Sequence, residues 1–130
     1  MRSRAARWLL IAAALLLALG ALPVGLAFVL RPDGSLVGMP RAILDGTPFA
    51  DFRIPGLLLA TVIGGGTLAA ALQAWRGAPR APQVARLAGV LVLGWIAVQV
   101  ALIGYVSPLQ PAVAALGLAL VGLAGWARAA

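Results

Sequence analysis

The sequence contains no cysteine and no histidine, and these two absences exclude several kinds of chemistry. Without cysteine the chain forms no disulfide and no thiol redox centre, and without histidine it holds no histidine-ligated haem. The usual zinc sites need one or both residue types. Four-helix quinone-linked thiol oxidoreductases and four-helix b-type cytochromes, which depend on these residues, are therefore poor matches. We expect no metal and no cofactor.

Charge is also scarce, and its scarcity points to a membrane. Charged residues make up 10% of the 130 residues, against about 25% in typical soluble domains. Hydrophobic residues make up 63%, and they occur in long blocks instead of at amphipathic spacing. Because so few polar residues cannot cover a water-soluble fold, the composition predicts an integral membrane protein.

The charges that are present are mostly positive. The formal net charge is +7, from ten basic residues, all of them arginine, and three acidic residues. The arginines lie singly or in small groups between apolar blocks, so they form no basic stripe of the kind that nucleic-acid-binding proteins need. We therefore expect no nucleic-acid partner, and interpret the arginines as topology signals and contacts for lipid headgroups.

Four apolar blocks predict an all-α protein, a polytopic bundle of four transmembrane helices that forms one integral membrane domain over residues 1–130. The predicted spans lie at about residues 8–30, 55–75, 84–106 and 108–126, with an outer loop at 31–54 and a cytoplasmic linker at 76–83. The first block opens as a signal peptide does. It extends well beyond the apolar region of a signal peptide, so we expect an uncleaved helix.

The distribution of arginine predicts the orientation of the chain. With both termini in the cytoplasm, seven arginines lie on the cytoplasmic side and three on the outer side, as the positive-inside rule favours. Trp8, Trp75 and Trp126 then lie at cytoplasmic ends of helices, in the interfacial position that tryptophan prefers. Helical spans and a composition typical of GC-rich bacterial genomes favour the bacterial cytoplasmic (inner) membrane.

The loop at 31–54 mixes turn residues with apolar ones, which predicts a re-entrant or surface-lying loop that folds against the bundle. It carries all three acidic residues. Asp33 is expected to form a turn. Asp45 and Asp51 are expected to form ion pairs with two arginines of the same loop, Arg41 and Arg53. A metal site is less favoured, because the acids have no recognisable ligand spacing.

Few polar side chains lie inside the predicted spans, and no ionisable one lies in their apolar centres. Proton-coupled transporters place ionisable groups there, and small multidrug transporters use a glutamate in the first helix, so both are disfavoured. Thr61 and Thr67 are expected to bond the backbone of their own helix. Gln99 needs a partner in an apolar span. It either bonds a neighbouring helix, through Thr61 or Thr67, or contacts a solute.

Small residues recur in the second span and, less regularly, in the fourth span at Gly117, Gly122 and Gly125. Gly64-Gly65-Gly66 lies in the middle of the second span, and Ala60 with Gly64, and Gly65 with Ala69, give small-residue faces. Such faces allow helix backbones to approach closely, within one bundle or between protomers. The alternative for the glycine triplet is a hinge.

The loop and two later segments resemble a group of small four-helix bacterial integral membrane proteins to which no activity is attached. The matching segments are Pro32-Asp33-Gly34-Ser35, Gly38-Met39-Pro40, the stretch from Thr47 to Leu57, Gly94-Trp95-Ile96 with Gln99, and Leu109-Gln110-Pro111. The resemblance implies the four-helix topology and no catalytic residue. It also implies that the loop, Gln99 and Gln110 form one cluster at the outer end, with the loop covering the bundle.

Two functions remain open, and an enzyme is not expected, because general acid–base catalysis needs titratable groups at the reaction site. The first is a structural or accessory membrane component that packs against the lipid bilayer and against a partner membrane protein or itself. The second is a small-solute channel or transporter that acts as an oligomer, since four helices alone enclose little space.

Overall fold

The computed structural model describes residues 4–105 and 107–129, which are helical apart from connecting turns and contain no strand. Its four long helices are α1 (Arg4–Leu30), α2 (Arg53–Trp75), α3 (Ala81–Ile103) and α4 (Leu109–Ala129). Each is long and apolar enough to cross a membrane. The all-helical fold class and the four apolar helices predicted from sequence are therefore confirmed.

Several helix boundaries follow from local chemistry. The helix α2 ends in a Schellman motif, in which Gly77 adopts a φ of 67° and the Ala78 amide donates to the Gln73 carbonyl. The helix α3 begins at Ala81, before the predicted start, because Pro82 fits the first turn, where no backbone donor is needed. It ends before Gly104, whose φ of 73° and ψ of −167° suit glycine alone.

The helices form a ring in which each helix packs against two others. The helix α1 packs against α2 and α4, and α3 packs against the same two helices. This is the arrangement of an up-and-down four-helix bundle, with short connections between α2 and α3 and between α3 and α4 and a long loop between α1 and α2. One end of the ring holds the start of α1, the end of α2 and the Arg76–Arg80 connection, and is called the arginine end. The opposite end holds the loop 31–52 and is called the loop end.

Small residues dominate the buried core. Alanines from all four helices are buried, and the largest fully buried apolar side chains are Leu10, Leu120 and Val92. Small side chains let helices approach closely. In a lipid bilayer, where the hydrophobic effect does not drive helices together, such close packing is a main source of helix association.

The closest approach of α1 and α2 is at Gly25. A Cβ added there would lie 2.6 Å from the Ala60 amide nitrogen and 2.8 Å from the Gly56 carbonyl oxygen. Gly64, one step further along the same face, packs against Leu22. The predicted small-residue face of Ala60 and Gly64 therefore lies inside the bundle, and it extends to Gly56.

The other predicted face of α2 points outwards. Gly65 and Ala69 are exposed, and a Cβ added at Gly65 would meet no atom within 4 Å. A π-helical segment, Leu59–Gly64, lies directly before the glycine triplet. Such a segment widens the helix by one residue per turn, which rotates the outward face relative to the face that packs on α1.

The α3–α4 pair has its own close contact between glycines. A Cβ on Gly89 would lie 2.8 Å from the Gly117 carbonyl oxygen, and one on Gly117 would lie 2.9 Å from a methyl group of Val92. The predicted packing role of Gly117 is therefore confirmed. Gly122 and Gly125, grouped with it in the sequence, have open space around them.

The loop folds back onto the bundle, as predicted. Two short 3-10 turns, Ser35–Val37 and Arg41–Leu44, bring Leu44 against Phe28 and Phe52. The rings of Phe28 and Phe52 stack with centroids 4.6 Å apart, and the Phe52 amide donates to the Pro32 carbonyl. We call Phe28, Leu44 and Phe52 the loop core.

Because Gly25 lies in close contact with α2, we expect a substitution there to lower stability more than the same substitution elsewhere on α1. We expect Gly25→Ala to lower the free energy of unfolding by about 1–3 kcal/mol, because the added methyl group meets the backbone of α2. Thermal or denaturant unfolding of the purified protein in detergent measures this loss.

The matched control is Gly20→Ala on the same helix, where a Cβ meets nothing within 4 Å. It should leave stability unchanged or raise it slightly, since alanine favours helix over glycine. Equal effects of the two substitutions would contradict the packing of α1 on α2.

Candidate functional site

The two glutamines nearest the loop end bond to each other across the α3–α4 hairpin. The Gln110 side-chain amide donates to Oε1 of Gln99 over 2.9 Å and to the Gly104 carbonyl over 3.1 Å. Gln110 is 5% exposed, whereas Gln99 is half-buried. The pair therefore fixes the antiparallel register of two helices with a side-chain bond and a side-chain-to-backbone bond.

The start of α4 is a variant of the capping box, in which the Ser107 hydroxyl accepts the amide two residues ahead instead of three. The Ser107 hydroxyl accepts the Leu109 amide over 3.1 Å, and Oε1 of Gln110 accepts the Ser107 amide over 3.4 Å. These reciprocal bonds satisfy amides that a helix leaves free in its first turn. The sequence signal is Ser-x-x-Gln at 107–110, with Pro108 at a favourable first position. Sequence reasoning placed Gln110 in the cluster but missed this motif, which explains its role.

Gln99 bonds a neighbouring helix, as predicted, but its partner is Gln110 and not Thr61 or Thr67. The Thr67 hydroxyl is fully buried and donates to the Ile63 carbonyl over 2.8 Å, whereas the exposed Thr61 hydroxyl donates to the Leu57 carbonyl over 2.6 Å. Both threonines therefore bond the backbone of their own helix, as predicted. Both threonines lie on α2, whereas the bond of Gln99 joins α3 to Gln110 on α4.

The loop aspartates organise backbone turns. Oδ1 of Asp33 accepts the Ser35 amide over 2.9 Å at the start of a 3-10 turn, which confirms the turn prediction. Oδ1 of Asp51 accepts the Arg53 amide over 3.0 Å, at the first residue of α2. A carboxylate at that position also complements the positive end of the helix dipole.

The predicted ion pairs of the loop are not found where the structure describes both partners. Within residues 4–105 and 107–129, neither Asp45 nor Asp51 forms an ion pair with Arg53, and Asp51 bonds its backbone amide instead. The side chain of Arg41 lies outside the described part. No group of three or more acidic residues able to hold a metal ion occurs in the described residues.

An arginine at the opposite end makes a contact that sequence reasoning missed. Nε of Arg7 donates to the Ala74 carbonyl over 2.9 Å, and a guanidinium Nη donates to the Trp75 carbonyl. Both acceptors lie in the last turn of α2, which presents free carbonyls and the negative end of the helix dipole. Arg7 therefore ties α1 to the end of α2. No local pattern reveals such a long-range cap.

Two tryptophans flank this cap. Trp8 and Trp75 meet edge to face with ring centroids 5.6 Å apart, and the Arg7 guanidinium lies 5.4 Å from the Trp8 ring centroid. Trp8 remains 49% exposed and Trp75 59% exposed. The start of α1 and the end of α2 therefore present one aromatic and cationic surface at the arginine end.

The glutamine pair and the loop core adjoin at the loop end. Ile103, the last residue of α3, packs against the loop core, and the Gly104 carbonyl beside it accepts the Gln110 amide. The structure thus brings Gln99, Gln110 and the loop to one end of the bundle, as the sequence implied, and the connection runs through Ile103.

The polar side chains of this arrangement are occupied by hydrogen bonds within the fold. Within the described residues, every buried side-chain nitrogen and oxygen has a hydrogen-bond partner. The Gln99 carbonyl oxygen already accepts the Gln110 amide, and the threonine hydroxyls already donate to carbonyls. The side chains singled out in the sequence therefore satisfy one another or the backbone.

The glutamine pair predicts a measurable coupling. We expect Gln110→Leu to lower the free energy of unfolding by about 1–3 kcal/mol, because it leaves the Gly104 carbonyl and the Ser107 amide without partners. A double-mutant cycle with Gln99→Leu, measured by unfolding in detergent, should give a coupling of about 0.6–1.7 kcal/mol.

The cycle has an internal control in Thr61→Val. This exposed side chain makes no contact with either glutamine, so its effect should add to that of Gln110→Leu. A coupling of zero between the two glutamines would contradict the Gln99–Gln110 bond.

In comparisons with known protein families, curated proteins and solved structures, the chain matches none of them.

Proposed function

We propose that the protein is a multi-pass integral membrane protein that serves as a structural or accessory component of its membrane. Four long apolar helices support the membrane location. Large apolar side chains on all four helices are exposed, which a bilayer would cover; examples are Leu16, Leu19, Leu58, Leu87 and Leu118. In a soluble monomer, so large an apolar surface would drive association.

The proposed location is the bacterial cytoplasmic (inner) membrane, with both termini in the cytoplasm. The support is the arginine asymmetry together with the fold. Trp8 and Trp75 are in contact, so the start of α1 and the end of α2 lie on the same side. That side also carries the Arg76–Arg80 connection, and the three aspartates belong to the loop at the other end. The positive-inside rule then favours a cytoplasmic arginine end.

An accessory role is supported by the bonds of the polar side chains that the sequence singled out, since each of these side chains helps to hold the fold. Thr61 and Thr67 bond backbone carbonyls, Gln99 and Gln110 bond each other, and Asp33 and Asp51 hold turns. Such a chain has a defined shape but offers little chemistry of its own. Membership in the group of small four-helix bacterial membrane proteins suggested by the loop motif belongs to the same proposal.

Partners of the chain follow from its exposed faces. The outward face of α2, with Gly65 and Ala69, suits close contact with another helix, of a partner membrane protein or of a second copy. The competing function is a small-solute channel or transporter formed by an oligomer. It needs a free polar group along the path, and Gln99 is the residue on which it would depend.

The accessory role predicts a stoichiometric membrane-protein partner. The tagged protein, purified from native membranes after mild crosslinking, should carry one such partner at a fixed ratio. Substituting Gly65→Leu on the outward face should reduce recovery of the partner, whereas Gly20→Leu on α1 should not.

The competing function would be supported by a different result. If only the chain itself is recovered, and proteoliposomes show solute flux that Gln99→Leu abolishes and Thr61→Val leaves intact, the accessory role is wrong. Flux equal to that of empty vesicles is the result we expect.

A further inference from the structure

The exposed charge of the bundle is divided unequally between its two ends. At the arginine end, Arg76 and Arg80 lie in the connection between α2 and α3, and Arg86 lies on the second turn of α3. All three are exposed, and the chain has no acidic residue outside the loop. We call them the arginine trio. The loop end instead balances its arginines with three aspartates.

Unlike Arg7, the arginine trio does not bond to the rest of the fold. Arg7 directs its donors to the carbonyls at the end of α2. The side chains of the trio make no hydrogen bond or ion pair with any other residue that the structure describes. An uncompensated group of cations that the fold does not use is available to an external anion.

The surroundings of the trio favour one class of anion. Leu72, on the last turn of α2, is 45% exposed, and Leu87, next to Arg86, is 61% exposed. The exposed rings of Trp8 and Trp75 lie at the same end. Exposed arginines that share one end of the bundle with exposed leucines and tryptophans match a molecule with an anionic phosphate and acyl chains, since tryptophan favours headgroup depth.

We propose that the arginine end binds anionic phospholipids, with the arginine trio holding the headgroup phosphate and the neighbouring leucines and tryptophans contacting the glycerol and acyl chains. This inference rests on the proposed membrane location and adds a lipid class and named residues to it. Bidentate geometry makes arginine well suited to phosphate. Arg7 holds the α2 end in place and contributes little to lipid selectivity.

The test compares two lipids on the full-length protein. Affinity for phosphatidylglycerol and for phosphatidylcholine is measured by native mass spectrometry of the detergent-solubilised protein. We expect a preference for phosphatidylglycerol that falls by about fivefold for each arginine of the trio replaced by glutamine. Raising the ionic strength in a parallel fluorescence titration should weaken the preference, because salt screens exposed charges.

Two control variants separate binding from folding. The double substitution Arg31→Gln with Arg53→Gln removes charge at the loop end and should leave the lipid preference unchanged. Arg7→Gln should lower thermal stability and leave the preference nearly intact. The triple substitution Arg76→Gln, Arg80→Gln and Arg86→Gln should keep its thermal stability, because these side chains make no internal bond.

The outcomes distinguish the inference from the proposal on which it rests. Vesicle-bound protein is first washed with alkaline carbonate; if it is released, the membrane location itself fails. If the protein stays inserted but binds both lipids equally, or if the control pair removes the preference as strongly as the trio, only the lipid inference is overturned.

Discussion

The structure depends on the requirement that polar groups in an apolar chain find partners within the chain. Where no water is available to bond the backbone, a chain can satisfy its own amides and carbonyls by forming helices, and the helix ends then need special partners. Arg7 supplies them at the end of α2, Asp51 at its start, and Ser107 with Gln110 at the start of α4. Each partner also fixes how one helix meets its neighbour or the loop.

Close backbone packing follows from the same composition. Because the side chains at Gly25 and Gly56 are reduced to hydrogen, α1 and α2 approach until a single methyl group would collide with the opposing backbone. Gly89 and Gly117 do the same for α3 and α4. The two tight pairs are joined through α1–α4 and α2–α3 contacts into a ring. Polar side chains in this ring are engaged in holding it together, which is why a structural role accounts for them better than chemistry does.

Sequence reasoning succeeded where the signal is local. Long apolar blocks specify four helices, the Asp33 turn is local, and the threonine-to-backbone bonds span a single helical turn. It predicted that Gln99 bonds a neighbouring helix but not which residue it bonds, and it missed the contact of Arg7, because these partners are set by which helices adjoin in the ring. The cap at Ser107 has a local signal that could have been predicted, since Ser-x-x-Gln directly precedes an apolar run. Asp51 does not pair with the Arg53 guanidinium because the Arg53 backbone amide, two residues along, competes better than a flexible arginine side chain.

We propose that these helices cross a bilayer with the loop end and the arginine end on opposite sides. The chain has no cysteine, so a single introduced thiol reports one position without background. Ser35→Cys in the exposed loop and Pro79→Cys in the exposed connection are labelled with a membrane-impermeant maleimide. The account predicts that Ser35→Cys reacts in intact cells and Pro79→Cys reacts only after permeabilisation. Reaction of both variants from the same side would contradict it.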